Sequence, residues 1–266
     1  MNFELSEEQK MIQQSVERFV QENYDLPKRV EISSKDPGYS KEYWGSMAEL
    51  GWLGLPFEEK DGGFGGNQID TLVIMEQFGK GLVLEPFIAN VVLGGGAIQI
   101  GGSEELKKEM LPGLIEGSKQ MTLAYAEQQS RFDLEDVATS ARQEGDKFII
   151  NGQKYMVLNA ESADHIVVVT RTSGGQVDEE GITLFLVDSN AKGIELQNFP
   201  TVDGLRASEI TFDNVEVSSE RMIGELGKGF DILRVVSNNA ILAVCAEAVG
   251  AMEILYKDTV EYTQQR

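Results

Sequence analysis

Residues 121–164 read MTLAYAEQQSRFDLEDVATSARQEGDKFIINGQKYMVLNAESAD, and they separate two unlike parts of the chain. Three short runs in this stretch are rich in β-branched and aromatic residues, the composition of strands. They are Val137–Arg142, Lys147–Ile150 and Gln153–Leu158. The pairs Gly145-Asp146 and Asn151-Gly152 between them are typical of two-residue hairpin turns. The spacing therefore predicts a β-meander with two tight turns.

The sequence before this stretch predicts helices. Ser6 and Gln9 have the spacing of a capping box, ahead of an apolar helical face that extends to about Tyr24. Asp70 is the predicted cap of a later helix, and Leu111–Leu114 is predicted to turn the chain toward the sheet. Further helices are predicted at Tyr43–Leu50, Leu72–Phe78, Glu85–Val92 and beyond through Gly94–Gly96, and Glu104–Met110.

The sequence after this stretch predicts more strands and then a long helix. The strands are Ile166–Thr170, Ile182–Val187, Ile194–Phe199 and Glu209–Val217, and the helical region is Phe230–Tyr262. This order predicts an α+β fold in three parts. An N-terminal all-α domain is expected over residues 1–120 and a middle antiparallel β-barrel-like domain over residues 121–225. Residues 226–266 are expected to start a C-terminal helical bundle.

Composition limits the classes of function. The 266 residues carry a formal net charge of −21, which argues against binding to nucleic acid or to anionic membranes. No apolar run is expected to span a bilayer, and the N-terminus lacks an export signal. The single cysteine, Cys245, excludes an internal disulfide and favours a reducing, cytoplasmic compartment. The single histidine, His165, excludes a histidine-rich metal site.

A glycine-rich loop at Leu55–Gly66 allows two interpretations. Glycine clusters can cradle phosphate, but they do so between a strand and a helix. Helices are predicted on both sides of this loop. A structural loop is therefore favoured over a phosphate site.

Several short motifs follow one another in a specific order. They are Gly51–Pro56 with Gly62–Gly65, Leu111–Leu114 with Gly117, Gly145-Asp146, Asn151–Lys154, Asn159-Ala160, Ala163-Asp164, and Phe212–Val215 with Val217 and Gly224. In combination and spacing they resemble the acyl-CoA dehydrogenase family. The resemblance extends over the whole chain. It is strongest to divergent members such as the small subunit of pimeloyl-CoA dehydrogenase.

The resemblance implies an oxidoreductase of fatty acid metabolism that uses FAD. Such enzymes oxidise an acyl-CoA thioester, with a carboxylate taking the α-proton and flavin N5 taking the β-hydride. The motifs imply that two segments contact the flavin, largely through backbone groups. They are Tyr125, Ala126 and Glu127 in one segment and Met156, Val157 and Leu158 in the other.

Four residues depart from the family pattern in this region. Phe132 stands where the family has a serine that serves flavin and thioester, and Arg131 replaces a glycine. Met156 replaces a tryptophan on the flavin, and Leu158 replaces a threonine beside it. The hydroxyl groups of the family's serine and threonine are therefore absent from this sequence. An apolar slot for the flavin ring is expected to remain. Phe132 stays a predicted contact for both ligands. Arg131 has two open interpretations, a cation for a ligand phosphate or carboxylate and an ordinary surface arginine.

The C-terminal region also departs from the family. The segment Asn238–Ile241 replaces an acid-x-Thr-Arg cluster that contacts CoA, which makes Asn238 a predicted substrate contact. Arg266 matches an arginine that reaches the FAD pyrophosphate of a neighbouring subunit. No residue matches a general base, so no catalytic residue is predicted, and the chain is interpreted as a partial form. Glu247 lies in an apolar helical run, where a structural role is favoured over proton abstraction.

The remaining expectations concern surface groups and partners. Lys154 and Arg142 are expected to point outward into solvent. The resemblance implies an acyl-CoA substrate, electron-transfer flavoprotein or a similar electron acceptor, and a homo- or hetero-oligomer such as a tetramer. No nucleic acid and no membrane partner is expected. The alternative function is that of a non-catalytic partner subunit in a heteromeric dehydrogenase.

Overall fold

The computed structural model describes residues 4–265, which form a helical part, a sheet and a final long helix. The α-helices of these residues are α1 (Glu7–Asn23), α2 (Leu26–Ser33), α3 (Lys41–Glu49), α4 (Gln68–Gly81), α5 (Gly96–Gly101), α6 (Glu104–Ile115) and α7 (Phe230–Gln264). The strands are β1 (Met121–Ala124), β2 (Ser140–Glu144), β3 (Lys147–Leu158), β4 (His165–Arg171), β5 (Ile182–Asp188), β6 (Ile194–Pro200), β7 (Arg206–Ser218) and β8 (Met222–Ile223). The α+β fold class is confirmed.

Helix α1 begins at the predicted capping box. Gln9 N–H donates to Ser6 Oγ at 3.1 Å, and Ser6 N–H donates to Gln9 Oε1 at 3.0 Å. Val16 and Val20 bury the inner face of the helix. The local signal was sufficient here because cap and apolar face agree.

Helix α4 begins earlier than the sequence predicted. Asn67 is the N-cap, since its Oδ1 accepts a hydrogen bond from Ile69 N–H at 2.8 Å. Asp70 is the reciprocal partner of that cap, because its Oδ2 accepts from Asn67 N–H at 2.6 Å. The prediction of Asp70 as N-cap was therefore wrong. It relied on the apolar run that starts at Leu72, which lies one turn inside the helix.

Helix α6 continues through the predicted turn at Leu111–Leu114. Pro112 lies in its last turn and lacks the N–H that would donate to Lys108 O. Leu111 and Leu114 are fully buried. Their burial offsets the unfavourable term of a proline in a helix, and the predicted turn was wrong.

The apolar segment after Glu85 forms a π-helix, Ile88–Gly95, that leads into α5. A Cβ on Gly94 would lie 2.8 Å from Cγ of Met121. Glycine at this position therefore permits close packing. The close approach brings the start of β1 against this helix.

The glycine-rich loop folds back on itself. Gly63 N–H donates to Glu58 O at 3.0 Å, and Gly65 N–H donates to Phe57 O at 2.8 Å. A Cβ on Gly63 would lie 2.2 Å from that same Phe57 oxygen. These contacts explain the glycines by packing, in agreement with the structural interpretation.

The strands form one sheet in the order β6-β7-β3-β2-β4-β5-β8, with β1 beside β4. Neighbours are antiparallel except for the parallel pair β1–β4 and a single parallel bridge from β2 to β4. Residues of β3 and β7 share one core with residues of β4 and β5. The sheet therefore folds across itself into two facing halves, as a barrel-like domain does.

The predicted turn at Asn151-Gly152 is not a turn. β3 runs continuously through it, and β7 carries one extra residue opposite, since Ile150 pairs with Val215 and Gly152 with Phe212. An Asn-Gly pair at a strand irregularity has the same local composition as a hairpin turn. The third strand of the predicted meander is thus the second half of β3.

Strands β4 and β5 lie between two cores. In β4, Ile166 and Val168 face the other half of the sheet, whereas Val167 and Val169 face the helices. Both faces are apolar because both are buried. The sheet therefore packs directly against the helical part, and the ends of β1 and β3 lie at this junction.

Helix α7 packs closely along α4. A Cβ on Gly79 would lie 1.9 Å from Glu247 O, and one on Gly250 would lie 1.9 Å from Glu76 O. Among residues 4–265, α7 is the helix long and apolar enough to cross a membrane. The expectation that no run reaches this length was wrong. The criterion is weak evidence for a span, because helices packed in a protein core satisfy it too.

Candidate active site

An apolar surface lies where β1 ends beside β3. Tyr125 directly follows β1 and is exposed. The carbonyl of Ala126 accepts a hydrogen bond from Tyr155 N–H at 2.8 Å, which joins the two segments. Tyr155 and Met156 are exposed as well. We call Tyr125, Tyr155 and Met156 the apolar rim, since large apolar side chains exposed together are typical of a binding surface.

A β-bulge in β3 creates this surface. Lys154 pairs with Ile210 and Val157 pairs with Ser208, so Tyr155 and Met156 stand opposite a single residue of β7. The φ angle of Met156 is 53°, in the left-handed region. Because of the bulge, two successive side chains face outward where a regular strand would alternate. Strained backbone of this kind is common at functional sites.

The backbone beside the apolar rim offers a hydrogen-bond donor. Glu127 N–H is occupied, since it donates to Ser130 Oγ at 3.0 Å. Ala126 N–H donates to no acceptor within residues 4–265. This N–H is therefore available to a ligand that lies on the apolar rim.

A buried ion pair lies behind the rim. Lys154 Nζ is 2.7 Å from Glu127 Oε1, and its side chain is completely buried. Glu127 Oε1 also accepts from Thr139 N–H at 3.0 Å, and Oε2 accepts from Ala138 N–H at 2.9 Å. Lys154 Nζ donates in addition to Tyr125 O at 3.2 Å. The pair thus ties the segment after β1 to β3 and to the residues before β2.

Both members of this pair are charged at neutral pH. Burial by itself raises the pKa of Glu127, but Lys154 and the N–H donors outweigh it and lower the pKa to about 2. Burial lowers the pKa of Lys154 to about 8, which leaves the ammonium form in excess at pH 7. The pair is therefore a true ion pair that the structure isolates from water.

The expectation that Lys154 is solvated was wrong. The sequence interpretation broke β3 at Gly152, which removed the alternation that applies along a continuous strand. Phe148, Ile150 and Lys154 share the inward face of β3, and all are buried. Treating Lys147–Leu158 as one strand would have found the buried lysine. Arg142 is exposed and pairs with Glu144 at 2.6 Å, as expected of a surface group.

The turn after Glu127 is exposed. Phe132 is 96% exposed, and Arg131 adopts a φ of 49°. The guanidinium of Arg131 forms no ion pair and no hydrogen bond with the described part of the chain. The turn thus presents an uncompensated cation and an apolar ring to solvent, close in sequence to the apolar rim.

A cavity of about 70 Å³ lies at the end of β3, between the sheet and the helices. It is mainly apolar, and three charged residues reach it. Its lining residues include Met75, Phe78, Leu84, Ile88, Leu158, Glu85, Arg206 and Glu247. Leu158 connects the cavity to the segment that carries the apolar rim. The sequence did not predict this cavity, because its walls come from five separate parts of the chain.

Glu247 is half-buried at this cavity. Within residues 4–265 its carboxylate has no hydrogen bond and no ion pair. Burial raises the pKa of Glu247, with a further increase from Asp203 and an opposing decrease from Arg29. The predicted structural role assumed that a neighbouring helix or subunit satisfies the carboxylate. No neighbouring helix of the described chain does so.

Comparison with known families identifies the chain. Residues 6–118 match the family model described as "Acyl-CoA dehydrogenase, N-terminal domain", and residues 122–215 match "Acyl-CoA dehydrogenase, middle domain". These matches cover most of the chain. It belongs to the acyl-CoA dehydrogenase family. Acyl-CoA dehydrogenases are oxidoreductases, so membership of the family assigns the chain to that class of enzymes.

Individual relatives can be aligned with this chain over 98–100% of its length. The short-chain specific acyl-CoA dehydrogenase of Clostridium acetobutylicum is 30% identical over 274 residues, which cover 100% of this chain and 71% of that protein. Subunit CarC of the caffeyl-CoA reductase–Etf complex of Acetobacterium woodii is 26% identical over 268 residues, covering 98% of this chain and 70% of that protein. The structure described as "FAD complex of PigA" superposes with a TM-score of 0.90 at 25% identity, covering 100% and 70% of the two chains.

Only some of the residues predicted to contact FAD have side chains at the surface of the candidate site. Tyr125, Ala126 and Met156 lie together, whereas the side chain of Val157 is buried in the sheet core and leaves only its backbone for a cofactor. The Glu127 side chain is likewise buried, in the ion pair. The remaining predicted contacts are placed as follows: Leu158 is half-buried at the cavity, and Asn238 is exposed on α7. Arg266 lies outside the described residues.

The residues present fit FAD, the cofactor of the acyl-CoA dehydrogenase family. An isoalloxazine ring needs apolar contact on its face and donors at the edge where negative charge develops. The apolar rim provides the first and Ala126 N–H the second. The replacements at Met156 and Leu158 remove family side chains without removing these backbone and apolar features.

Proposed function

We propose that the protein oxidises an acyl-CoA thioester between its α and β carbons with FAD as cofactor. The observation that carries the proposal is the apolar rim beside the free N–H of Ala126, in the segment that the resemblance to the family associates with the flavin. When bound, FAD supplies the acceptor for the hydride that leaves the β carbon. The chain itself supplies the surface, the orientation and the exclusion of water.

Each part of the site has a proposed role toward FAD. Ala126 N–H would donate to the flavin edge, and Tyr125 and Met156 would cover apolar ring surface. Leu158 and the backbone of Val157 would extend this contact, and Phe132 would add to it from the exposed turn. The ion pair keeps the Tyr125–Glu127 segment in place, because it bonds that segment to β3 and to residues before β2. Arg266 is a proposed contact for the FAD pyrophosphate of a neighbouring subunit.

Binding of CoA requires local positive charge, because the protein carries a net charge of −21. We assign that role to Arg131, whose guanidinium has no partner in the described chain. A charge-assisted hydrogen bond to phosphate is stronger than one between neutral groups. Asn238 on α7 is a second proposed contact, for the acyl-CoA substrate.

The α-proton must pass to a carboxylate, and we assign this step to no residue of the chain. The chain spans about 70% of the length of the relatives described above. Its proposed electron acceptor is electron-transfer flavoprotein or a protein like it. This proposal is supported by the relative named as a subunit of an Etf complex. An oligomer, either homo- or heteromeric, and a cytoplasmic location complete the proposal.

The test is spectroscopic. The purified protein, reconstituted with FAD, is titrated anaerobically with acyl-CoA thioesters. The proposal predicts a flavin absorbance band that a suitable acyl-CoA bleaches. A protein that stays colourless after reconstitution with FAD would contradict it.

A second candidate function is that of a non-catalytic partner subunit. The loss of family side chains at Phe132, Met156, Leu158 and Asn238–Ile241 favours it. In this case the protein would co-purify with a second dehydrogenase chain that holds the flavin. A homo-oligomer with one FAD per chain would eliminate this alternative.

A further inference from the structure

The cavity at the end of β3 contains an acid that the fold does not satisfy. Its walls include apolar residues of α4 and of the π-helix, with Leu158 on the sheet side and Glu247 on the α7 side. A volume of about 70 Å³ accommodates roughly five water-sized groups. The cavity is thus large enough for a short chain of non-hydrogen atoms.

The other two charged residues of the cavity are already bonded. Glu85 is almost completely buried, and its carboxylate accepts hydrogen bonds from Tyr24 O–H and, at 3.1 Å, from Ser40 N–H. The Arg206 guanidinium is 3.5 Å from Asp36 Oδ1 and donates to Ser33 O at 3.4 Å. Their remaining capacity for a ligand is small, although Arg206 Nε is buried without a partner.

Glu247 differs from both. Glu247 is a half-buried residue that lines the cavity, and its carboxylate has no hydrogen-bond donor within residues 4–265. The nearby Arg29 does not compensate it, because Arg29 donates instead to Leu82 O at 2.7 Å and to Asp203 O. Glu247 is half-buried, so its carboxylate keeps only part of its contact with water. A ligand that brings a donor to Glu247 would form a charge-assisted hydrogen bond beside apolar walls, which is stronger than a hydrogen bond between neutral groups.

Leu158 and Glu247 line the same cavity, so a ligand that enters beside Leu158 would extend toward Glu247. On the proposed function, the reacting α and β carbons lie beside the segment that ends at Leu158. An acyl chain that continues from there into the cavity approaches Glu247 with its far end. A plain alkyl end would leave the Glu247 carboxylate unsatisfied, whereas a hydroxyl end would donate to it.

We propose that Glu247 is a specificity-determining residue that selects a short acyl chain ending in a hydrogen-bond donor. This inference rests on the proposed function and adds the substrate class to it. The donor is of the hydroxyl type, and the carboxylate of Glu247 is its acceptor. Plain alkyl chains of equal length bind less tightly.

The test compares two thioesters of equal heavy-atom count, 4-hydroxybutyryl-CoA and pentanoyl-CoA. Their dissociation constants are measured by calorimetry and by perturbation of the flavin spectrum, for the wild type, Glu247→Gln and Glu247→Leu. The wild type is expected to prefer the hydroxylated ligand about tenfold, the ratio typical of one hydrogen bond to a charged group. Glu247→Gln keeps an acceptor and retains part of this preference, and Glu247→Leu abolishes it.

A matched control removes a different carboxylate from the same helix. Glu261→Leu, near the exposed end of α7, is expected to keep the wild-type preference. Thermal unfolding confirms that each variant is folded, and the isosteric Gln variant covers the case in which Leu perturbs packing. Equal affinities in the wild type, or an unchanged preference in Glu247→Leu, overturn the inference while leaving the proposed function intact. Failure of both thioesters to bind the wild type overturns the proposed function together with the inference.

Discussion

Lys154 Nζ lies 2.7 Å from Glu127 Oε1, and neither side chain is exposed by more than 4%. The two residues belong to β3 and to the segment after β1, which the ion pair therefore holds together. A charge pair shielded from water depends on both partners, because either one alone would be an uncompensated buried charge. The stability of the candidate site is consequently linked to this pair.

Lys154→Met is expected to reduce the free energy of unfolding by about 3–5 kcal/mol, the range for breaking a buried pair by removing one partner. Urea denaturation at pH 7 measures it. Lys147→Met is the matched control, because Lys147 on the same strand forms an exposed pair with Glu216 at 2.8 Å. That control should leave the unfolding midpoint nearly unchanged. Equal effects of the two substitutions would show that the buried pair contributes no more to the free energy of unfolding than the exposed pair does.

The pH dependence of stability has a definite sign. The pKa of Glu127 is lowered from 4.5 to about 2, so the unfolded chain binds more protons than the folded chain between these values. The contribution of Glu127 is therefore fully present above pH 4.5 and is lost as the pH falls toward 2. The difference in unfolding free energy between the wild type and Glu127→Gln should shrink steadily as the pH falls from 5 toward 2. A constant difference between pH 5 and pH 2.5 would refute the assignment.

The bulge at Met156 has a consequence for cofactor binding. Met156→Gly removes an apolar contact of the rim and also relieves a left-handed φ of 53°. Stability should change little, because the relief of strain and the entropy cost of glycine are each about 1 kcal/mol and oppose each other. Affinity for FAD should fall about fivefold through lost apolar contact.

Fluorescence quenching of FAD on reconstitution measures this affinity. Val177→Gly, at an exposed position of a polar loop, is the control and should not alter FAD binding. A Met156→Gly protein that binds FAD like the wild type would place the flavin elsewhere.

Much of the fold could be predicted from local sequence, and the exceptions have physical reasons. The cap at Ser6 and the continuous apolar run of β4 are local patterns, and the structure agrees with them. Asn151-Gly152 was wrongly predicted as a turn because an Asn-Gly pair opposite a bulge in β7 has the same composition as a hairpin turn. That error also concealed the burial of Lys154.

The candidate site also combines residues that the sequence predicts with features that arise only from packing. The motifs predict that Tyr125 and Met156 belong to one site, and the structure joins their two segments through the hydrogen bond from Tyr155 N–H to Ala126 O. The cavity could not be predicted, since Glu247 reaches it only when α7 packs on α4. Contacts between distant segments depend on three-dimensional packing, which periodicity does not describe.

Arg131 allows a test of the CoA site that leaves the flavin site unchanged. Arg131→Met should weaken binding of CoA and flatten its dependence on salt, because one cation near the phosphates is removed. FAD content should stay the same. Arg142→Met is the control, since Arg142 is exposed and already paired with Glu144. Titration calorimetry at two salt concentrations measures the effect, and equal losses in both variants would show only the effect of total charge.

The packing of α7 on α4 can be tested with one methyl group. Gly79→Ala would place a Cβ 1.9 Å from Glu247 O, a backbone atom that cannot move without shifting the whole helix. Overpacking of this kind typically costs about 1–3 kcal/mol, and the rigidity of two helices places Gly79 at the upper end. Gly45→Ala in α3 is the matched control, because a Cβ there meets nothing within 4 Å.

The two substitutions should have opposite signs in thermal unfolding. Gly45→Ala should stabilise the protein by about 0.5–1 kcal/mol through helix propensity alone, whereas Gly79→Ala should destabilise it. Because Glu247 moves with the α7 backbone, Gly79→Ala should also weaken binding of 4-hydroxybutyryl-CoA more than that of CoA itself. Stabilisation by both alanines would mean that α7 does not pack on α4 as closely as the glycine contacts require, and the cavity at Glu247 would then lose one of its walls.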